Sequence, residues 1–256
     1  MLFLFYVEFD EDSFVKVLQL LNIKNKHNLS NAAFNDILKV YGKSEPSLYL
    51  AQKKLADLVN IEPIFVPMCV NSCCAFTGEF AHNTSCFYCG EAAYNIDPSS
   101  PNIKTPRKVA TFLPLLDRFK LQFGNPDRSL DLRYRYQYIN NSEHEEDFIG
   151  NIFDGNLYKE LTEDGCFTDE RDIALIGSTD GYQIFRQKTD DCWVIMFINA
   201  NLPPNKRVKK ENLLISSIIP GPNQPKNFNT FLRPIVDELK MLEGKYLIYN
   251  LNTVPF

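Results

Sequence analysis

The sequence predicts an α/β protein with a helical N-terminal part, a small cysteine-rich module and a C-terminal core of three strands followed by a helix. Three observations carry that expectation. Apolar residues recur at helical spacing through residues 14–59, five of the seven cysteines crowd between Cys69 and Cys89, and three short apolar runs precede one long amphipathic stretch. With 256 residues the chain has room for two or three modules. The reading divides it into a helical region at 1–62, a cysteine module at 63–100, a basic helical and acidic connecting region at 101–165, and a core at 166–256.

In the helical region Phe14, Val17, Leu18 and Leu21 fall at i, i+3, i+4 and i+7, which is one apolar stripe. Ser30 reads as the cap of a second helix carrying Ala33, Phe34, Ile37, Leu38 and Tyr41, with Gly42 as its stop. A third helix starts near Ser47 and turns Leu48, Ala51, Leu55, Leu58 and Val59 inward until Pro63 and Pro67 forbid helix. The opening Met1 to Val7 is apolar, lacks a basic leader and reads as a strand or a truncated element. No run approaches the ~18 apolar residues of a membrane span, so a soluble intracellular protein is expected.

Clustered cysteines in an intracellular chain favour metal over disulfides. Cys69 and Cys73 are separated by three residues and Cys86 and Cys89 by two, each pair suited to a tight turn. Four thiolates favour Zn²⁺ and leave no open coordination position, so the site is expected to be structural and zinc-ribbon-like. Cys74 could replace Cys73, and His82 lies between the pairs, so one ligand stays open between these residues. Cys166 and Cys192 are isolated and read as buried structural thiols. The Asp97-Pro98-Ser99-Ser100-Pro101 exit reads as a linker or turn.

Net charge is −5, so any nucleic-acid contact has to come from a local patch. The best candidate is the stretch from Lys104 to Arg135, with eight Lys or Arg against three Asp. Within it Leu113, Leu116, Phe119 and Phe123 have helical spacing. Asn140 to Asp154 is polar and acidic around Glu143, Glu145, Glu146 and Asp147, as expected of a surface connection.

Residues 173–177, 193–198 and 213–219 are uninterrupted apolar runs of the kind that suit strands covered on both faces. A helix follows from about Asn229, burying Phe231, Leu232, Ile235, Val236, Leu239 and Leu242 before Gly244. Asp237 and Glu238 read as its charged outer face.

Several irregular segments occur in order: Asp180-Gly181, Asn201-Leu202-Pro203-Pro204, Lys210-Glu211-Asn212, Ile219-Pro220-Gly221-Pro222 and Phe231-Leu232-Arg233-Pro234-Ile235-Val236-Asp237-Glu238-Leu239-Lys240. With the cysteine pairs, Pro106-Arg107-Lys108 and Leu132-Arg133-Tyr134-Arg135 upstream, this series resembles the CACTA-type (En/Spm) DNA transposase family over about residues 30 to 245.

The resemblance implies an RNase H-like core of the DDE type. Three carboxylates there hold two divalent cations, Mg²⁺ or Mn²⁺, for strand cleavage and transfer at transposon ends. Asp180 is the position that matches the first catalytic carboxylate; on residue type alone Asp180-Gly181 is also a common turn pair. Asp190 and Asp191 read as solvated loop residues. The family's second and third carboxylates belong beyond the helix, and no residue up to Phe256 is a candidate for either, so the core is expected to be incomplete. The resemblance also implies DNA as partner and a nuclear location, with no membrane role and a homo-oligomer left open. Lys206-Arg207-Val208-Lys209-Lys210 serves equally as a localisation signal or an exposed turn. Two other readings stand beside the transposase: a non-catalytic zinc-containing module that binds DNA or protein, and the inactive relic of an element.

Overall fold

The computed structural model describes residues 11–41, 47–59, 61–97, 99–141, 149–183 and 191–243. Expectations placed on Met1 to Val7, Gly42, the acidic run from Glu143 to Asp147, Asp190 and Gly244 lie outside the described residues. The chain forms two compact units, residues 1–61 and 62–256.

The first unit contains three helices, α1 (Glu11–Lys26), α2 (Asn31–Tyr41) and α3 (Leu48–Val59). Val17 and Leu21 of α1, Phe34 and Leu38 of α2, and Leu48 and Ala51 of α3 form its core. Ser30 starts α2 by accepting the Ala33 amide at 3.1 Å, and Ser47 does the same for Leu50 at 3.4 Å. Leu55, expected inside, is 36% exposed, so the apolar face of α3 is narrower than its sequence stripe.

The second unit is built on a five-stranded antiparallel sheet in the order β1-β4-β7-β6-β5. Its strands are β1 (Ile64–Pro67), β4 (Val109–Phe112), β5 (Leu175–Gln183), β6 (Asp191–Asn199) and β7 (Leu213–Pro220). A separate hairpin, β2 (Tyr94–Asp97) and β3 (Ser100–Pro106), lies within the long connection from β1 to β4. Within the Pro- and Ser-rich segment Asp97 pairs with Ser100 at the end of this hairpin, and Ser100 and Pro101 already belong to β3.

The three apolar runs become β5, β6 and β7, each beside its sequence neighbour, as an antiparallel meander dictates. Both-face burial does not follow for all of them. Along β6, Ile195 and Phe197 are buried while Val194, Met196 and Ile198 are only half-buried, the period-two pattern of a sheet with one fully packed face.

That packed face is covered by α9 (Asn229–Leu242) and α4 (Leu116–Gly124). Phe231 and Ile235 of α9 and Phe119 of α4 join Ile195, Phe197, Leu214, Ile219, Ala110 and Phe112 in one core. Phe231 is 3% exposed, and truncating such a side chain to Ala costs about 3–5 kcal/mol. Met68 and Ala75, which flank the first cysteine turn, belong to the same core. The cysteine segment thus grows out of the sheet that also holds β5, β6 and β7.

Between β4 and β5 the chain forms α4, α5 (Pro126–Asp131), α6 (Tyr134–Ile139) and α7 (Asn156–Glu163), and a short α8 (Pro204–Arg207) joins β6 to β7. Asn201 is fully buried there and fixes three segments: it accepts the Ala174 amide at 2.9 Å and donates to the carbonyls of Leu132 at 3.1 Å and Asp172 at 2.8 Å. Asp154, expected on the surface, is buried and accepts from the Tyr138 hydroxyl and the amides of Gly150 and Asn151. No described helix is long and apolar enough to cross a membrane.

Candidate metal centre and candidate catalytic carboxylate

Two tight turns present the cysteines. In the first, the Cys69 amide donates to the Cys74 carbonyl and the Ser72 amide to the Cys69 carbonyl, both at 2.9 Å, with Ser72 left-handed at φ 60°. In the second, the Cys86 amide donates to Glu91 at 2.8 Å and the Gly90 amide to Cys86 at 2.9 Å, with Gly90 at φ 76°. A side chain at Gly90 would find space but a strained backbone, so glycine is required there by conformation. Antiparallel bridges, Met68 with Ala75 and Ser85 with Ala92, close the base of each turn.

The Sγ atoms of Cys69, Cys73, Cys86 and Cys89 all lie within 4.8 Å of one another, and Cys69 and Cys89 are 3.5 Å apart. A tetrahedral zinc with Zn–S near 2.3 Å separates its sulfurs by roughly 3.8 Å. The four thiols therefore fit a metal such as zinc. Cys74 stands outside this group, 3.8 Å from Cys86, and His82 is exposed and also outside it. Cys192 is buried and Cys166 half-buried, both away from the tetrad.

The surroundings suit thiolates. The Asn71 amide donates to Cys69 Sγ at 3.4 Å and its side-chain amide to Cys89 Sγ at 3.7 Å. Lys108, half-buried, donates to Val70 O at 3.0 Å, to Ser72 Oγ at 3.4 Å and to Gly221 O, and its charge acts on Cys69. Burial lowers the Lys108 pKa, an effect partly opposed by Cys69. Without metal, burial pushes the Cys69 and Cys73 thiols up, and Cys74 to about 12. Exposed Cys89 moves the other way, to about 7, chiefly because the Glu91 backbone amide donates to it.

The first cysteine turn is also tied to the loop between β7 and α9. Ser72 Oγ donates to Gly221 O at 2.6 Å and Pro220 O at 2.9 Å, while the amides of Lys226 and Asn227 both donate to Cys73 O at 2.9 Å. Asn227 further reaches the Tyr88 hydroxyl at 3.0 Å. The Pro220-Gly221-Pro222 segment is thus the backbone surface on which the metal-binding turn rests. Nothing local in the sequence marks Asn71 and Ser72 for these roles, because their partners are 18 and 149 positions away, and Lys108, read from sequence as part of the basic stretch, is instead built into the cysteine turn.

Asp180 lies inside β5, directly opposite Val194, and is exposed. The Asp-Gly pair is therefore no turn: the strand runs on to Gln183, and Gly181 accommodates the Trp193 ring, from which a Cβ there would stand 3.3 Å. Among the described residues the cysteine tetrad is the one group of three or more metal-ligating side chains, so no carboxylate cluster surrounds Asp180.

The family model described as Transposase family tnp2 matches residues 152–248. This transposase match takes in α7, β5, β6, α8, β7 and α9, and with them Asp180 and the Pro220 loop. It supports a transposase-related function, and the cysteine tetrad lies outside it. No curated protein and no solved structure matches the chain.

Proposed function

We propose that the chain acts in DNA transposition, as a CACTA-type transposase or a protein derived from one. The observation that carries this reading is the transposase match over 152–248, the segment that holds three consecutive antiparallel strands and the helix packed on them. That order of elements suits an RNase H-like core, and the irregular motifs quoted above suit the CACTA type.

In this reading Cys69, Cys73, Cys86 and Cys89 hold one structural zinc, which cross-links two turns and through Ser72 and Cys73 braces the loop before α9. Asp180 is the carboxylate offered to a catalytic Mg²⁺ or Mn²⁺, supported by its exposure in mid-strand within the matched segment. A nuclear location follows from the same reading.

The test is binding to duplex DNA carrying the element's ends, followed across a salt series. Affinity that falls steeply as salt rises supports the reading, since neutralised phosphates release counterions. A chain that ignores DNA even at low salt sinks it. Divalent-dependent nicking lost in Asp180→Asn assigns the carboxylate; nicking that survives the substitution removes Asp180 from that role.

One observation favours a second reading, a zinc-containing module that binds DNA or protein without chemistry. Among the described residues Asp180 belongs to no group of three or more metal-ligating side chains, and one carboxylate does not build a two-metal site. DNA binding without nicking under Mg²⁺ or Mn²⁺ would select it.

A further inference from the structure

The basic stretch from Lys104 to Arg135 does not form one surface. Arg107 is paired with Glu91 at 2.7 Å, Lys108 is built into the first cysteine turn, Arg133 lies 3.8 Å from Glu170, and Arg135 is 1% exposed. What the fold assembles instead is a group of cations drawn from two distant parts of the chain. They meet around Asn212, which is 4% exposed.

Asn212 Oδ1 accepts from Arg128 of α5 at 2.5 Å, and its Nδ2 donates to the carbonyl of Lys206 at 2.8 Å. Its own amide donates to Lys209 O at 2.8 Å. Three residues on, the carbonyl of Ile215 accepts from Arg118 of α4 at 2.5 Å. Lys206 Nζ holds Asp131 at 2.7 Å, which fastens α8 to α5. Residues 75 to 97 positions apart are thereby fixed against the start of β7.

Two features make this group suited to an external polyanion. The guanidinium contacts of Arg118 and Arg128 are to a backbone carbonyl and a side-chain amide, neutral acceptors that orient the cation without cancelling its charge. Glu238 is the carboxylate that acts on Arg118, and one of its oxygens is engaged by the amides of Leu115 and Leu116. Lys120, Lys209 and Lys210 are exposed beside them. Of the carboxylates on the same elements, Asp117 and Asp131 are held by Lys120 and Lys206, while Asp127 and Glu211 are exposed; the excess of positive charge comes from the α8 turn, where Lys206, Arg207, Lys209 and Lys210 stand against Glu211 alone.

We infer that the surface formed by α4, α5 and the α8 turn around Asn212 binds the phosphate backbone of duplex DNA. The inference rests on the transposition reading for its choice of partner. Contacts of this kind position a protein on the duplex and read no bases.

The test measures binding of the full chain to a fluorescent 30-base-pair duplex by anisotropy across a salt series. Each phosphate contact removed should lower the slope of log affinity against log salt by about 0.9. Lys209→Gln changes one exposed side chain; Arg128→Gln adds the anchored cation. Lys104→Gln is the control. A lower slope and weaker binding in the first two variants, with the control like wild type, is the expected result. Wild-type slopes in all variants overturn the surface while leaving the DNA reading intact. Absence of DNA binding by the wild type overturns both. Preferred binding to phosphatidylserine vesicles, lost in the same variants, overturns DNA as the occupant.

Discussion

The Thr77 hydroxyl donates to the carbonyl oxygen of Thr230 at 2.5 Å, across 153 positions of sequence. That carbonyl needs a donor because Pro234, four residues later inside α9, has no N–H to return to it. Thr230 also uses its hydroxyl, accepting the Ala75 amide at 2.9 Å and donating to Asn227 O at 2.8 Å. Thr77→Val should therefore cost about 1–3 kcal/mol in urea unfolding, the range for an orphaned buried acceptor. In a Pro234→Ala background the helix supplies its own donor, and the same substitution should cost distinctly less. A double-mutant cycle with no coupling between positions 77 and 234 would refute this account.

Glu238 belongs to the interior. It is 6% exposed, and its Oε1 accepts the amides of Leu115 at 2.8 Å and Leu116 at 2.9 Å, so a residue of α9 caps the start of α4. Glu238→Leu removes the acceptor and orphans two amides, and should lower stability by about 1–3 kcal/mol. Glu238→Gln keeps an acceptor oxygen and should recover part of that loss. The neighbouring Asp237→Ala, which removes only an exposed pair with Arg233, should change unfolding by less than about 0.5 kcal/mol. Equal losses at 237 and 238 would contradict the cap.

For the cysteine tetrad, the expected metal content is one zinc per chain, lost in Cys69→Ser or Cys86→Ser and retained in Cys74→Ser and His82→Ala. Because burial raises the Cys69 and Cys73 thiols, zinc has to displace their protons, so apparent affinity should rise with pH across the neutral range. Hydrogen exchange offers a second readout. The amides of Lys226 and Asn227 donate to Cys73, so chelation should accelerate their exchange while leaving β6 protected. Unchanged exchange at 226 and 227 would show that the loop does not depend on the metal-binding turn.

Legibility in the sequence followed the reach of each interaction. Cysteine spacing and the apolar runs of β5, β6 and β7 are local signals, and they placed the tetrad and three strands. Spacing alone could not separate Cys73 from Cys74, since three and four intervening residues both suit a metal-binding turn and only the direction of the side chain distinguishes them. The strands β1 and β4 have four residues each and exist because β4 finds β7, a pairing that no local pattern announces. Asp180-Gly181 carries a turn signature, yet Trp193 packing over Gly181 keeps it in a strand. One tertiary contact did have a signal: a proline six residues into α9 implies an unpaired carbonyl at Thr230, and a donor from elsewhere had to meet it.

Arg135 extends this logic to a charge. At 1% exposure it donates to the carbonyls of Asp172 at 3.1 Å, Phe167 at 3.1 Å and Asp169 at 2.5 Å, and to the Tyr158 hydroxyl at 3.0 Å. Its guanidinium also lies 5.5 Å from the Phe167 ring centre, and Phe167 has φ 60°. One planar fork thus fixes the loop that leads into β5. Arg135→Lys keeps the charge but cannot reach four acceptors in that geometry, and should cost about 2–4 kcal/mol. The pH response separates this from the exposed pair beside it. Arg171, through its side chain, holds the Asp169 pKa down to about 2 from an ordinary 3.8. A depressed carboxylate contributes its stability above the ordinary value and loses it as pH falls toward 2. With the Asp169 side chain 44% exposed, that contribution is below about 1 kcal/mol. Urea unfolding at pH 5 and pH 2.5 should show Arg171→Gln losing this small acid-dependent part alone. Arg135→Lys should be destabilised at both pH values by a similar amount. Were the Arg135→Lys deficit to vanish at pH 2.5, its origin would be a carboxylate and not the three carbonyls.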